Sequence, residues 1–155
     1  MKMRKALVPF LCFLCAAPAL LPAQSTAAEI ETLLASAALT NAQVSRFVLE
    51  AAGQAAFADP MDAFGFVMER GWLPANSSAD NPARLDGVSL LFMRSFDLRG
   101  GLLFTATGSA HFAYREMEYK GIIHGRVSPG QRVSGETLLY LTGRLLDLVG
   151  EPEYE

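Results

Sequence analysis

Apolar residues recur along this chain at helical spacing, in three long stretches that open alike. Val44, Phe47, Val48 and Ala51 stand at i, i+3, i+4 and i+7, the stripe that one buried helix face leaves in a sequence. Val88, Leu91, Phe92 and Phe96 give a second stripe, and Leu138, Leu141, Leu145 and Leu148 a third. The openings are Leu39-Thr40-Asn41-Ala42-Gln43-Val44, Leu85-Asp86-Gly87-Val88-Ser89-Leu90 and Val133-Ser134-Gly135-Glu136-Thr137-Leu138. Each has an apolar residue, then a capping type (Thr40, Asp86, Ser134), then a second apolar residue where a hydrophobic staple places it. Gln43 completes a capping box with Thr40.

Two shorter helices are expected between the long ones. Phe64, Val67 and Met68 form one stripe, and Ala110, Ala113, Tyr114 and Met117 the other. Gly71 and Gly121 follow them, where a helix ends on a left-handed residue, and Trp72 and Ile122 take the next position. The pattern therefore predicts an all-α fold of about five helices, alternating long and short: two repeats closed by a C-terminal helix. Repeats on this scale are supersecondary units that share one core. Residues 74–84 read as a polar loop, and His124 to Arg132 as its shorter counterpart. Leu102 to Thr107 has strand-like composition but no second strand to pair with. It reads as an extended connector, parallel in role to Ala55 to Asp59.

The N-terminus changes the picture of where the chain works. Lys2, Arg4 and Lys5 precede an apolar run to about Ala23, followed by small residues, which is the layout of a secretory signal peptide. Pro9, Pro18 and Pro22 interrupt the run and no basic cluster follows it, so no stable membrane span is expected after cleavage. Residues 1–23 are read as signal, 24–38 as linker or frayed helix, 39–150 as one domain and 151–155 as an acidic tail. Cys12 and Cys15 are the only cysteines, and both fall within the signal. Phe13-Leu14 ahead of Cys15 do not suit lipidation, so the exported chain has no disulfide framework. Without Lys2, Arg4 and Lys5 the 13 basic residues against 16 acidic ones become 10 against 16, a net charge of −6. Nucleic acid is a poor partner for such a domain. The expected location is exported, in the periplasm or outside the cell, associated with the envelope.

One family combines these elements in this order. The residues that carry the likeness are Phe57-Ala58-Asp59, Glu69-Arg70-Gly71-Trp72-Leu73 and Tyr119-Lys120-Gly121-Ile122-Ile123-His124-Gly125, followed by Pro129 and Val133-Ser134-Gly135-Glu136. Over residues 39–149 the chain resembles the S-layer homology module, and it is similar to small exported spirochaete envelope proteins built from such repeats. The resemblance implies an all-helical module that binds cell-wall polysaccharide, often a pyruvylated one. The family opens its long helix with Thr-Arg-Ala-Glu, whose arginine contacts the acidic sugar. Here the corresponding stretches read Thr40-Asn41-Ala42-Gln43, Asp86-Gly87-Val88-Ser89 and Ser134-Gly135-Glu136-Thr137, and none keeps the arginine.

Candidate chemistry is sparse. His111 and His124 are the only histidines, and His111 has Arg115 rather than a ligand at i+4, which disfavours a metal. Asp59 and Asp62 pair more simply with a helix N-terminus than as acid and base. No Gly-x-Ser-x-Gly turn or phosphate loop occurs. The sequence calls for no catalytic residue, no metal and no cofactor, and a small hydrolase ranks last among its readings. The binding candidates are Arg115, His124, Arg126 and Arg132, the most basic region of an acidic chain, suited to an acidic sugar or carboxylate. Trp72 is placed to stack on a sugar ring. The expected role is a non-enzymatic envelope module contacting polysaccharide or an envelope protein. The second reading is a structural subunit that self-associates through its repeat ends, with an oligomer as its product.

Overall fold

The computed structural model describes residues 22–150. Most of the segment expected to be a signal, with Cys12 and Cys15, and the expected acidic tail at 151–155 lie outside the described residues. Seven helices follow one another: α1 (Pro22–Leu34), α2 (Asn41–Ala51), α3 (Pro60–Glu69), α4 (Leu85–Ser95), α5 (Leu102–Thr107), α6 (Ala110–Tyr119) and α7 (Gly135–Gly150). Among the described residues the fold is all-α, with seven helices rather than the five expected. None of them is long and apolar enough to cross a membrane.

The two additional helices have separate causes. α1 covers most of the alanine-rich stretch before Leu39. α5 replaces the extended connector expected at Leu102 to Thr107. A strand there would leave its backbone groups without partners, whereas the helix satisfies them internally. Its ends are set by Gly101 and by Gly108, which takes φ 58. The Thr107 hydroxyl donates back to the Leu103 carbonyl at 2.7 Å.

Local signals open and close the other helices. Thr40 and Gln43 form the reciprocal capping box of α2. Asp59 caps α3 by accepting from Met61 N–H, with Pro60 at the first helical position, and the Ser134 hydroxyl accepts from Thr137 N–H in α7. α3 and α6 end in the same way: Gly71 and Gly121 take φ 64 and 68, Trp72 N–H bonds to the Val67 carbonyl, and Ile122 N–H to that of Met117. This is the Schellman arrangement, which requires a left-handed residue. α4 ends likewise, with Leu98 N–H on the Met93 carbonyl at 2.9 Å, but its left-handed residue is Asp97 at φ 50. A side chain in that conformation is strained. Asp97→Gly is therefore expected to raise stability by about 0.5–1 kcal/mol, relief of strain exceeding the added entropy of the unfolded chain; urea denaturation measures it.

The middle opening departs from its expected register. α4 starts at Leu85, its N-cap is Arg84 without a side-chain cap bond, and Asp86 is the second helical residue. The staple positions are thus Ala83 and Val88, two residues earlier than Leu85 and Leu90. That register is imposed from elsewhere in the chain. Leu39 N–H bonds to the Val133 carbonyl, Val133 N–H to that of Ala83, and Ala83 N–H to that of Leu39, at 2.8–2.9 Å. The residues ahead of α2, α4 and α7 thus close a three-membered ring. A second set of bonds surrounds it: Asn41, Leu85 and Gly135 N–H donate to the carbonyls of Asn81, Gln131 and Ser36. Each first helical N–H, which has no partner within its own helix, is met by the segment before another long helix.

α3 packs on α2, α6 on α4 and α1 on α7, while α2 touches both α4 and α7. Leu39, Leu49, Leu91, Phe92, Met117, Leu138 and Leu145 are fully buried where these pairs meet. α7 approaches α1 closely enough that a Cβ on Gly135 would fall 1.6 Å from the Leu33 carbonyl oxygen.

Candidate binding cleft

A cleft of about 450 Å³ lies where the polar loop of residues 74–84 meets the starts of α2 and α4. The loop is held there by its own backbone. Ser77 N–H bonds to the Pro74 carbonyl, and Ala42 N–H reaches the Ala79 carbonyl. The Asn41 side-chain amide donates to the Ser78 carbonyl at 2.8 Å. Ala79 and Ala83 are buried and anchor the loop, so its polar side chains turn outward. Asn41, Asn76, Ser77, Ser78, Asn81, Arg84 and Asp86 line the cleft, with Gly87, Ala110 and two prolines.

Arg84 and Asp86 neutralise each other within it. The Arg84 guanidinium makes two bonds to the Asp86 carboxylate, at 3.2 and 2.9 Å, and Asp86 also accepts from Gly87 N–H. Of their side chains, 61% and 19% respectively are exposed, so Asp86 is the better fixed. Amides, hydroxyls and a paired guanidinium offer donors and acceptors with little net charge. Such a lining suits a neutral, polyhydroxylated ligand better than a strongly acidic one.

The residues singled out in the sequence lie elsewhere. Arg115 is exposed and stands 3.8 Å from Glu118. His124, Arg126 and Arg132 are exposed on the second loop, and the Arg132 backbone pairs with that of Arg84 in an isolated antiparallel bridge. Trp72 is half-buried and meets Phe66 edge-on, with centroids 6.0 Å apart; Phe66 also carries the Arg70 guanidinium 3.4 Å from its ring centroid. None of these five lines the cleft. His111 is the second residue of α6 and meets Phe112 edge-on. Among the described residues no three His, Cys, Asp or Glu side chains converge as a metal site would need. The cleft residues Asn76, Asn81 and Arg84 drew no attention in the sequence. The only signal they offered was an amide-rich loop directly ahead of a helix start.

The second loop is pinned from below by Tyr114. Its hydroxyl bonds to the Val127 carbonyl and to Glu118 Oε1, and the side chain is buried. Burial first, then the hydrogen bond and charge of Glu118, pushes its pKa from 10.0 up to about 12. The stability contributed by this raised value is complete below pH 10 and is lost as pH rises through about 12, because the unfolded chain releases the proton first. An absorbance titration should contain a late tyrosinate component near pH 12 that Tyr114→Phe removes. The same variant leaves the Val127 carbonyl without its partner and is expected to lower stability by about 1–2 kcal/mol.

A scan against protein-family models finds no match to the chain, and neither do searches of curated proteins and of solved structures.

Proposed function

We propose that the chain is an exported, non-enzymatic envelope module of S-layer-homology-like helical repeats that holds envelope polysaccharide in the cleft beside α2 and α4. The observation that carries this reading is the cleft lining: three asparagines, two serines and a neutralised Arg84–Asp86 pair. Sugars are recognised by such planar amides and hydroxyls, each hydrogen bond contributing modestly. Export rests on the layout of residues 1–23. The repeat reading rests on the matching openings at Thr40 and Ser134 and the matching stops at Gly71 and Gly121, joined by the ring at Leu39, Ala83 and Val133. The loss of the family's arginine at all three openings is in keeping with a cleft that has little net charge, and so with a neutral glycan rather than a pyruvylated one.

Retention of the purified protein on envelope polysaccharide from its own cells tests the proposal. Asn76→Ala combined with Asn81→Ala should weaken retention roughly tenfold or more, since two lost hydrogen bonds are worth about 1–3 kcal/mol. Both changes leave the loop's backbone bonds in place. Arg126→Ala combined with Arg132→Ala should retain the wild-type level. Unchanged retention in the asparagine pair would remove the cleft from the mechanism; loss confined to the arginine pair would move the contact to the second loop.

A further inference from the structure

α5 leaves two large apolar side chains in solvent. Leu102 is 89% exposed and Leu103 61%, while the next residue, Phe104, is buried and ties the helix to the core. Single exposed leucines are ordinary on any surface, but an adjacent pair this prominent offers an apolar knob for a contact. On a different pair of helices, α1 and α2, a mostly apolar pocket of about 300 Å³ opens to solvent. Leu33, Phe47, Ala28 and Pro60 supply its apolar walls, and Glu29 and Glu50 its acidic rim.

The charges around the two features are opposite. Arg94, whose guanidinium lies 5.2 Å over the Phe104 ring, and Arg99, exposed three residues ahead of Leu102, have no ion pair with a described residue, while Glu116, the acid beside the knob, accepts from Gly101 N–H at 2.9 Å. At the pocket, Arg46 is already engaged, 3.0 Å from Glu29 and 2.9 Å from the Phe57 carbonyl. Glu50 has no ion pair among the described residues. α1 itself is largely exposed, with Ile30 and Leu34 at 38% and 50%, so the pocket has one lightly held wall.

We propose that the Leu102–Leu103 knob of one copy of this chain seats in the α1–α2 pocket of a second copy, with Arg99 facing Glu50. Apolar atoms meet apolar atoms at the centre, and opposite charges meet at the rim and set the register. Knob and pocket are different surfaces, so the contact is heterologous. It leaves the glycan cleft untouched and goes beyond the envelope-binding reading.

Sedimentation equilibrium of the protein, expressed from the full sequence and purified as the cell processes it, tests the contact from low to several hundred micromolar. The mass should rise with concentration. Leu102→Ser combined with Leu103→Ser removes the knob, and Ala28→Trp fills the pocket; both sites are exposed, and unchanged circular dichroism verifies folding. Each variant alone should dissociate at least tenfold more readily than wild type, a difference of about 1.4 kcal/mol. An equimolar mixture of the two should recover association, because one intact knob and one intact pocket remain. Arg99→Glu should weaken association, and Glu50→Arg in the same chain should restore it. A wild type that stays monomeric throughout, or a mixture no better than its separate components, overturns the proposal. So does flotation of a monomeric wild type with anionic vesicles that the double serine variant loses, which would assign the leucines to a lipid surface.

Discussion

Phe92→Ala is expected to lower the free energy of unfolding by about 3–5 kcal/mol, the range for deleting a fully buried aromatic ring. Phe92 has no exposed surface and meets the Phe96 ring with centroids 6.1 Å apart. It lies on α4, which packs against both α6 and α2, so the void would open where two helix pairs share one core. Domains of this size have only about 5–15 kcal/mol of stability in total, so the variant should unfold at much lower urea concentrations. Phe92→Leu keeps most of the volume, and its loss should stay near 1–1.5 kcal/mol. If the alanine variant lost no more than the leucine variant, the ring would not fill the position described for it.

The second large effect falls on Gly135. A valine there would press its Cβ onto the Leu33 carbonyl, a backbone atom that no rotamer change can move. The last turn of α1 must shift away, and the Gly135 N–H bond to the Ser36 carbonyl goes with it. The expected loss is about 1–3 kcal/mol, as for other overpacked sites. Amide hydrogen exchange should quicken first in residues 28–36 and only slightly around Phe92. Gly143 lies on the same helix with open space around it, so Gly143→Ala should stabilise by about 0.5–1 kcal/mol through helix propensity alone. Equal protection of residues 28–36 in wild type and Gly135→Val would contradict the close crossing.

The features legible in the sequence were those written locally. Leu39 with Val44, and Val133 with Leu138, sit within one turn of their caps, and Gly71 and Gly121 follow directly on the stripes they end. Such signals need no knowledge of the rest of the chain. At α4 the local signal misled, because Asp86 has the chemistry of a cap but serves as the second helical residue. The true start is set by Val133 and Gln131, which bond to Ala83 and Leu85 across a long stretch of sequence. The misreading of Leu102 to Thr107 has a related origin: the strand preference of Phe104, Thr105 and Thr107 expresses packing on a sheet, and no sheet is present among the described residues. The cleft escaped notice because it exists only once the loop folds over α2, bringing Asn76 and Asn81 beside Arg84. Charge drew attention to Arg126 and Arg132, which the fold leaves exposed on the second loop and outside the cleft.

The ring at Leu39, Ala83 and Val133 also settles how far this architecture can grow. Helical arrays of the open kind lengthen by duplication, since every added unit finds the same free face at the end of the stack. Here each of the three residues offers its N–H to one neighbour and its carbonyl to the other, so the circle has no vacant place. A duplicated segment would have to break one of these bonds to enter, or stand outside the circle without its own. A longer chain of this design would therefore add whole circles, each with its own clefts, rather than widen this one.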